Sequence, residues 1–194
     1  YAIFSLLFGL SFFIQHDNQA QKGKDFRLRF AWRMVLLMSF GLFDLLFFNG
    51  DILTVYAACG LLVLPLIRLS NRTLAWIALF LALQPIEIFY LIWGAVDPTV
   101  RPLDLGSGEL FGALLGPQSH GTIWEVAVAG IQYGFRINFY WAIENGRLTQ
   151  TLFLFLLGIL MGRKRFLYDE GENAHLWVRT MMLSVVFLLV VLPV

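Results

Sequence analysis

Six apolar runs separated by charged stretches limit what this chain can fold into: Tyr1 to Ile14, Phe30 to Phe48, Ile52 to Ile67, Thr73 to Val96, Leu148 to Gly162 and Thr180 to Val194. A helix needs about 20 apolar residues to cross the hydrocarbon core of a bilayer. Backbone groups in lipid have to be satisfied inside the segment, so runs of this kind are expected to be helices and not open strands. The third and fifth runs are shorter and call for tilt, local thinning or a turn taken from their flanks. The first and sixth stop at the ends of the chain, which reads as an internal piece of a longer membrane protein, with the remainder of its own chain as a partner. Only 14% of the 194 residues are charged and 59% are hydrophobic, against about a quarter charged in ordinary water-soluble domains. The expected fold is therefore all-α: one membrane-embedded domain over residues 1–194, a polytopic bundle of about six transmembrane helices. A net charge of +1 argues against a nucleic-acid partner, and a single cysteine, Cys59, excludes an internal disulfide framework.

Positively charged loops stay in the cytoplasm, so the cations orient the bundle. Lys22, Lys24, Arg27, Arg29 and Arg33 follow the first run, Arg68 and Arg72 the third, Arg163, Lys164 and Arg165 the fifth, and Arg179 precedes the sixth. These are 11 of the 14 basic residues, and all fall on the side reached after an odd-numbered crossing. Arg101, Arg136 and Arg147 fall on the other. Residues 1 and 194 are thus expected outside, and the basic loops inside, a bacterial cytoplasmic (inner) membrane.

The stretch 97–147 reads as an outer loop. Its first part, Asp97 to Gly121, is rich in glycine and proline; its second, Thr122 to Ile143, is apolar enough to be weighed as a seventh crossing. Counting it as one would move Arg163, Lys164, Arg165 and Arg179 outside and blur the charge asymmetry. Glu125, Gln132 and Arg136 fall on one helical stripe, flanked by Trp124, Tyr133, Phe135, Phe139, Tyr140 and Trp141. An interfacial or re-entrant amphipathic helix on the outer face fits that pattern better.

Ionisable groups inside lipid cost on the order of 2.5–3.5 kcal/mol even on insertion scales. Asp44 in GLFDLLFF and Glu87 in LQPIEIFY are the two to explain, and they are the candidate catalytic groups. Asp51, seven residues after Asp44, and Gln84, three before Glu87, share faces with them. Pro85 between Gln84 and Glu87 is expected to kink its helix. With Arg136 as the cation, Asp44, Asp51, Gln84 and Glu87 are expected to line a polar pocket opening outward, with Asp51, Gln84 and Arg136 contacting substrate. The bland alternative is that the acids form structural bonds between helices, and Asp51 caps a turn. Arg27, Arg29 and Arg33 could grip the phosphates of a cytosolic cofactor, although orientation and headgroup contact are the commoner roles of such residues. Gly158 and Gly162 have the spacing of close helix approach. No histidine or cysteine spacing makes a metal site.

The segments FSLLFGLSFF, RFAWRMVLLMSFGLFDLLFFNGDILTVYAACGLLVLPL and FLFLLGILMGRKRFL resemble the YeiB-like bacterial membrane family, most closely over Phe4 to Leu66 and Phe153 to Leu167. That family is distantly similar to transmembrane acyltransferases of the heparan-alpha-glucosaminide N-acetyltransferase type. The resemblance implies a helix bundle passing an acyl group from cytosolic acyl-coenzyme A to an envelope acceptor. The histidine that carries the chemistry in those enzymes precedes the first crossing, at a position that would lie before Tyr1, so it is not carried over to a residue of this sequence. Family members often have histidine where this chain has Asp44. Two other functions stay open at this stage: a transporter of a small anion or metabolite, and a noncatalytic membrane component.

Overall fold

The computed structural model describes residues 1–23, 25–97, 99, 102–166 and 174–191. Lys24 and Arg101 of the charge pattern, and residues 192–194 of the sixth run, lie outside the described residues. Every regular element among them is helical: α1 (Ala2–Gln21), α2 (Arg27–Asp44), α3 (Leu53–Leu66), α4 (Asn71–Ala82), α5 (Pro85–Val96), α6 (Ser107–His120), α7 (Ile123–Ala129), a π-helical turn (Gly130–Gly134), α8 (Phe135–Glu144), α9 (Arg147–Arg163) and α10 (Ala174–Val191). The chain is therefore all-α over the described residues, with a helix on each of the six apolar runs. Among the described residues one helical stretch, Asn71–Val96, meets the length and composition requirement for a crossing.

Helix α9 is the hub, with α1, α4 and α3 packed around it and α2 packed on α3. The α1–α9 contact is close because it is made by glycines. A Cβ on Gly158 would meet the Leu6 carbonyl and lie 2.7 Å from the Leu10 nitrogen, and one on Gly9 would lie 2.8 Å from Phe155 Cα. Gly162 lies against the Phe13 ring, so the small residues of LLGILMG serve the packing role that their spacing suggested. Around this seam the core is aromatic: Phe8 stacks on Phe155 with centroids 4.7 Å apart, and Phe12 meets Phe30 edge to face at 4.4 Å.

Polar contacts tie the two ends of the bundle. At one end Arg163 donates to the Leu69 carbonyl (2.8 Å), the Ile67 carbonyl and Asn71 Oδ1 (2.8 Å), clasping the turn between α3 and α4. Arg33 bonds Gln15 there, and His16 sits edge-on to Phe26. Burial, followed by the nearby Arg163 charge, holds the His16 imidazole below its ordinary pKa. At the other end Tyr1 bonds Thr151, and Ser5 pairs with the Tyr56 hydroxyl at 2.9 Å.

Two expectations need correction. The run Thr73 to Val96 is broken and not merely kinked. Ser70 caps α4 by accepting the Thr73 N–H at 3.2 Å, and the helix ends at Ala82; Gln84 then takes a left-handed conformation, φ 46° and ψ 66°, and Pro85 starts α5. Proline has no N–H to continue the ladder and disfavours the helical region for the residue before it. Helix α4 runs antiparallel to α9, with Asn71 beside Arg163 and Gln84 and Glu87 beside Gly146. It thus reaches the far end of α9 before α5 begins, and α5 buries none of its residues.

The second correction concerns the outer loop, which contains α6. Gly108, Gly112 and Gly116 suggest a loop, but all three face open space. The helix is held instead by its opposite side, where Leu114 is buried against Ala129 and Ile137. The amphipathic stretch after it is not one continuous α-helix either. Its π-helical turn brings Gly130 and Gly134 onto the backbone of Leu45 and Leu46 at the end of α2, where any Cβ would collide. Glu125, Gln132 and Arg136 are all exposed, although the π-helical turn interrupts the α-helical register that put them on one stripe.

Candidate functional site

The turn Asn49 to Ile52 between α2 and α3 is built around one carboxylate. Asp51 is 4% exposed. Its Oδ1 accepts the Leu53 N–H at 2.8 Å, and its Oδ2 accepts the Thr54 N–H at 2.9 Å and the Thr54 hydroxyl at 2.5 Å. Helix N-termini leave their first N–H groups unpaired and carry partial positive charge, so a buried carboxylate is stable there. Gly41 lets α2 pass alongside, with its Cβ position 2.9 Å from Asp51 Oδ2. From α8, Asn138 donates its amide N–H to the Asp51 carbonyl at 2.5 Å. A second carboxylate does similar work nearby: Glu144 accepts the Leu105 N–H at 2.5 Å and the Ser107 N–H at 3.2 Å and also bonds the Ser107 hydroxyl, which fixes the start of α6.

These two braced turns face each other across a cavity of about 520 Å³, within the range of small-molecule sites. Its polar groups are Asn49, Asp51, Ser107, Asn138, Tyr1 and Arg147; Val55, Phe111, Ile137, Trp141 and Ala142 make most of the rest. Arg147 opens α9 behind Gly146, which takes φ 60°. Its guanidinium carbon lies 5.1 Å from the Tyr1 ring centroid and 5.7 Å from that of Trp141, and Nη1 donates to Gln150 at 3.3 Å. Two aromatic faces and one amide therefore orient the cation.

Of the residues singled out from the sequence, Asp51 lines this cavity and Asp44, Gln84, Glu87 and Arg136 do not. Asp44 ends α2, half-buried. Arg136 is exposed on α8, and the cation of the cavity is Arg147. Glu87 lies in the first turn of α5 against Gly146, next to Arg147 in the chain; both its carboxylate oxygens are buried and have no hydrogen-bond partner. Gln84, the left-handed residue at the α4–α5 break, lies beside it. Arg27, Arg29 and Arg33 are at the opposite end of the bundle, near Gln15 and Asp25. Sequence reasoning missed Arg147 and Glu144. One signal for Arg147 was present: it is a lone cation directly after Asn145-Gly146 and directly before an apolar run, so it stands at the mouth of a helix.

At the start of α7, Thr122 and Glu125 form a capping box, with Thr122 N–H donating to Glu125 Oε2 at 2.7 Å. The backbone N–H and then the hydroxyl of Thr122 hold the Glu125 carboxyl below its ordinary pKa.

In comparison with known proteins, 72 residues of the chain are 39% identical to an uncharacterized 39.9 kDa protein in the amylase 3' region of Bacillus acidopullulyticus. The matched stretch is 37% of this chain and 21% of that relative, so the similarity spans about a fifth of the relative's length. No family model matches the chain, and no solved structure matches it.

Proposed function

We propose that the chain is the membrane-embedded part of a multi-pass protein of the bacterial inner membrane, with the 520 Å³ cavity as its outward-facing ligand site. Two features support the membrane reading. Large apolar side chains stand free on the bundle exterior, among them Trp32, Phe40, Phe43, Trp76 and Leu91, each more than 60% exposed. Water-soluble monomers rarely leave such surface uncovered. The cavity is drawn from Tyr1, the 49–52 turn, α6, α8 and the start of α9, which are the segments that charge asymmetry assigns to the outer side, whereas Arg33 and Arg163 lie at the other end.

The activity we assign is transfer of an acyl group from cytosolic acyl-coenzyme A to an envelope acceptor seated in that cavity. The observation that carries it is a concave, largely apolar site with a few convergent polar groups at the end of the bundle opposite the basic cluster of Arg27, Arg29 and Arg33. Acyl transfer joins the acyl carbon to an acceptor oxygen or nitrogen, releases coenzyme A as the thiol, and moves one proton from acceptor to sulfur. Glu87 does not line the cavity but lies against Gly146, next to Arg147 of its wall, and we assign it that proton because its carboxylate has no partner whereas Asp51 is fully engaged at the start of α3. The test is incubation of the full-length protein, reconstituted in vesicles, with radiolabelled acetyl-coenzyme A and envelope extract. Label should pass to an extract component, and E87Q should abolish transfer while D44N spares it. Absence of transfer by the folded wild-type protein sinks the assignment.

A transporter is the second reading, favoured by the break at Gln84–Pro85 beside a carboxylate without a partner. Interrupted helices carrying such groups recur at substrate and ion sites of transporters. Uptake of a labelled small anion into the same vesicles, without chemical change, distinguishes it.

A further inference from the structure

Among the described residues the proposed ligand cavity has one cation, and its environment specifies the class of molecule the cavity takes. We infer that the cavity binds an amphiphile with a single anionic head, a carboxylate or a phosphate, held by Arg147 while its apolar body lies against Phe111, Ile137 and Val55. This inference rests on the proposed reading of the cavity as a ligand site and adds the chemistry of what fills it.

Among the described residues that line the cavity, Arg147 is the only cation and Asp51 the single acid. The Asp51 carboxylate is directed at the α3 N-terminus through three hydrogen bonds, so it is not the partner of Arg147. Instead the guanidinium contacts two rings and the Gln150 amide oxygen. That leaves most of its five N–H donors for a ligand. A guanidinium fixed in orientation is suited to bidentate binding of planar or tetrahedral oxyanions, at lower entropic cost than a free side chain.

Gly146 caps α9 without a side-chain acceptor, and the Glu87 carboxylate lies against Gly146 and offsets the positive end of that helix, so the charge offered to the cavity is the Arg147 guanidinium itself. The remainder of the wall is mostly carbon. A cationic or zwitterionic ligand would set positive charge against Arg147. A fully polar anion would leave the apolar wall unfilled. An amphiphile with one anionic head satisfies both halves.

Trp141 lines the cavity and reports occupancy. Full-length protein in nanodiscs of phosphatidylcholine is titrated with a brominated C12 carboxylate, the matching alkyl phosphate, the alkyl alcohol and the alkyl trimethylammonium, with tryptophan quenching as the readout. W141F identifies the part of the quenching that arises in the cavity. The carboxylate and phosphate should bind roughly 10- to 100-fold more tightly than the alcohol, the range for charge-assisted hydrogen bonds. R147Q should remove that preference, and R147K should retain part of it. Repeating the titration in discs containing phosphatidylglycerol separates the two sources of the head. Competition there assigns it to a bilayer lipid, and unchanged binding assigns it to a free amphiphile; each agrees with the inference.

Equal quenching by all four amphiphiles in the wild-type protein overturns the inference while leaving a ligand site in place. This comparison does not depend on any variant folding. Quenching by none of them, or quenching that W141F leaves intact, overturns the cavity reading itself.

Discussion

Replacing Gly158 by alanine tests the seam on which the bundle is built. The new Cβ would lie 2.7 Å from the Leu10 nitrogen, where ordinary contact begins at 3.4 Å, and nearer still to the Leu6 carbonyl. Both are backbone atoms of α1, so no rotamer change can relieve the overlap, and α1 and α9 must move apart by at least about 0.7 Å. Overpacking of this kind costs about 1–3 kcal/mol. Overlap with fixed backbone puts the cost in the upper part of that range, and alanine returns up to about 1 kcal/mol through its higher helix propensity, which leaves a net loss of about 1–2 kcal/mol. Two internal controls set the sign. Gly112 on α6 has nothing within 4 Å of its Cβ position, so G112A should be neutral or gain up to about 1 kcal/mol. The atoms nearest a Cβ on Gly162 belong to the Phe13 side chain, whose ring can turn, so G162A should fall between the two. The assay is reversible unfolding of the full-length protein in mixed micelles, followed by circular dichroism as sodium dodecyl sulfate is raised. Equal or greater stability for G158A, with G112A showing the same gain, would refute glycine-mediated contact between α1 and α9.

Three further outcomes are expected. D51A should destabilise the protein by about 2–3 kcal/mol, because it removes a helix cap and strands a buried hydroxyl, and D51N should cost less; denaturation together with hydrogen exchange at Leu53 and Thr54 measures both. G146A should lose about 1–2 kcal/mol from its left-handed backbone alone and more from collision with the Glu87 carboxylate, whereas Q84G should relieve about 1 kcal/mol of the same strain; thermal unfolding separates the two. His16 has a lowered pKa in the folded state, so its contribution to stability is fully present above 6.5 and is lost as pH falls through the lower folded value. Imidazole NMR titration should place the midpoint below 6.5. Since burial is the leading cause, R163L should restore it only in part.

The positions of α1, α2, α3, α9 and α10 were legible as apolar runs, because the length and composition of a run are properties of the chain alone. So was the close approach at Gly158, which is a matter of spacing. Helix α6 was not, because its glycines and Pro117 have low helix propensity, and what holds it is Glu144, 37 positions from Ser107. Tertiary contact overrides local preference there. Asp51 was found because an acid between two apolar runs is conspicuous on any count. Arg136 was preferred to Arg147 because both carry the same charge on the same expected side, and only packing decides which one turns inward: the π-helical turn and Gly134 dock α8 so that Ile137 and Asn138 face the bundle and Arg136 faces away. Pro85 announced a disturbance, but the separation of α5 from the bundle depends on how far α4 has already travelled along α9.

The meeting of Glu87 with Gly146 makes the chain leave the scaffold and return to it at one place. Everything between them, α5 to α8, is an excursion whose two stems touch; α1 to α4 and α9 pack mainly on one another, and α8 docks on them through Gly134, Asn138 and Ala142. Such an arrangement divides labour: the scaffold carries the stability, and the excursion supplies one wall of the cavity through Phe111, Ile137, Asn138 and Trp141. Insertions, deletions or exchanges within residues 88–145 could then retune what the cavity accepts while the scaffold beneath stays the same. Joining the two stems with a short linker should leave a folded bundle that lacks one wall of the proposed ligand cavity.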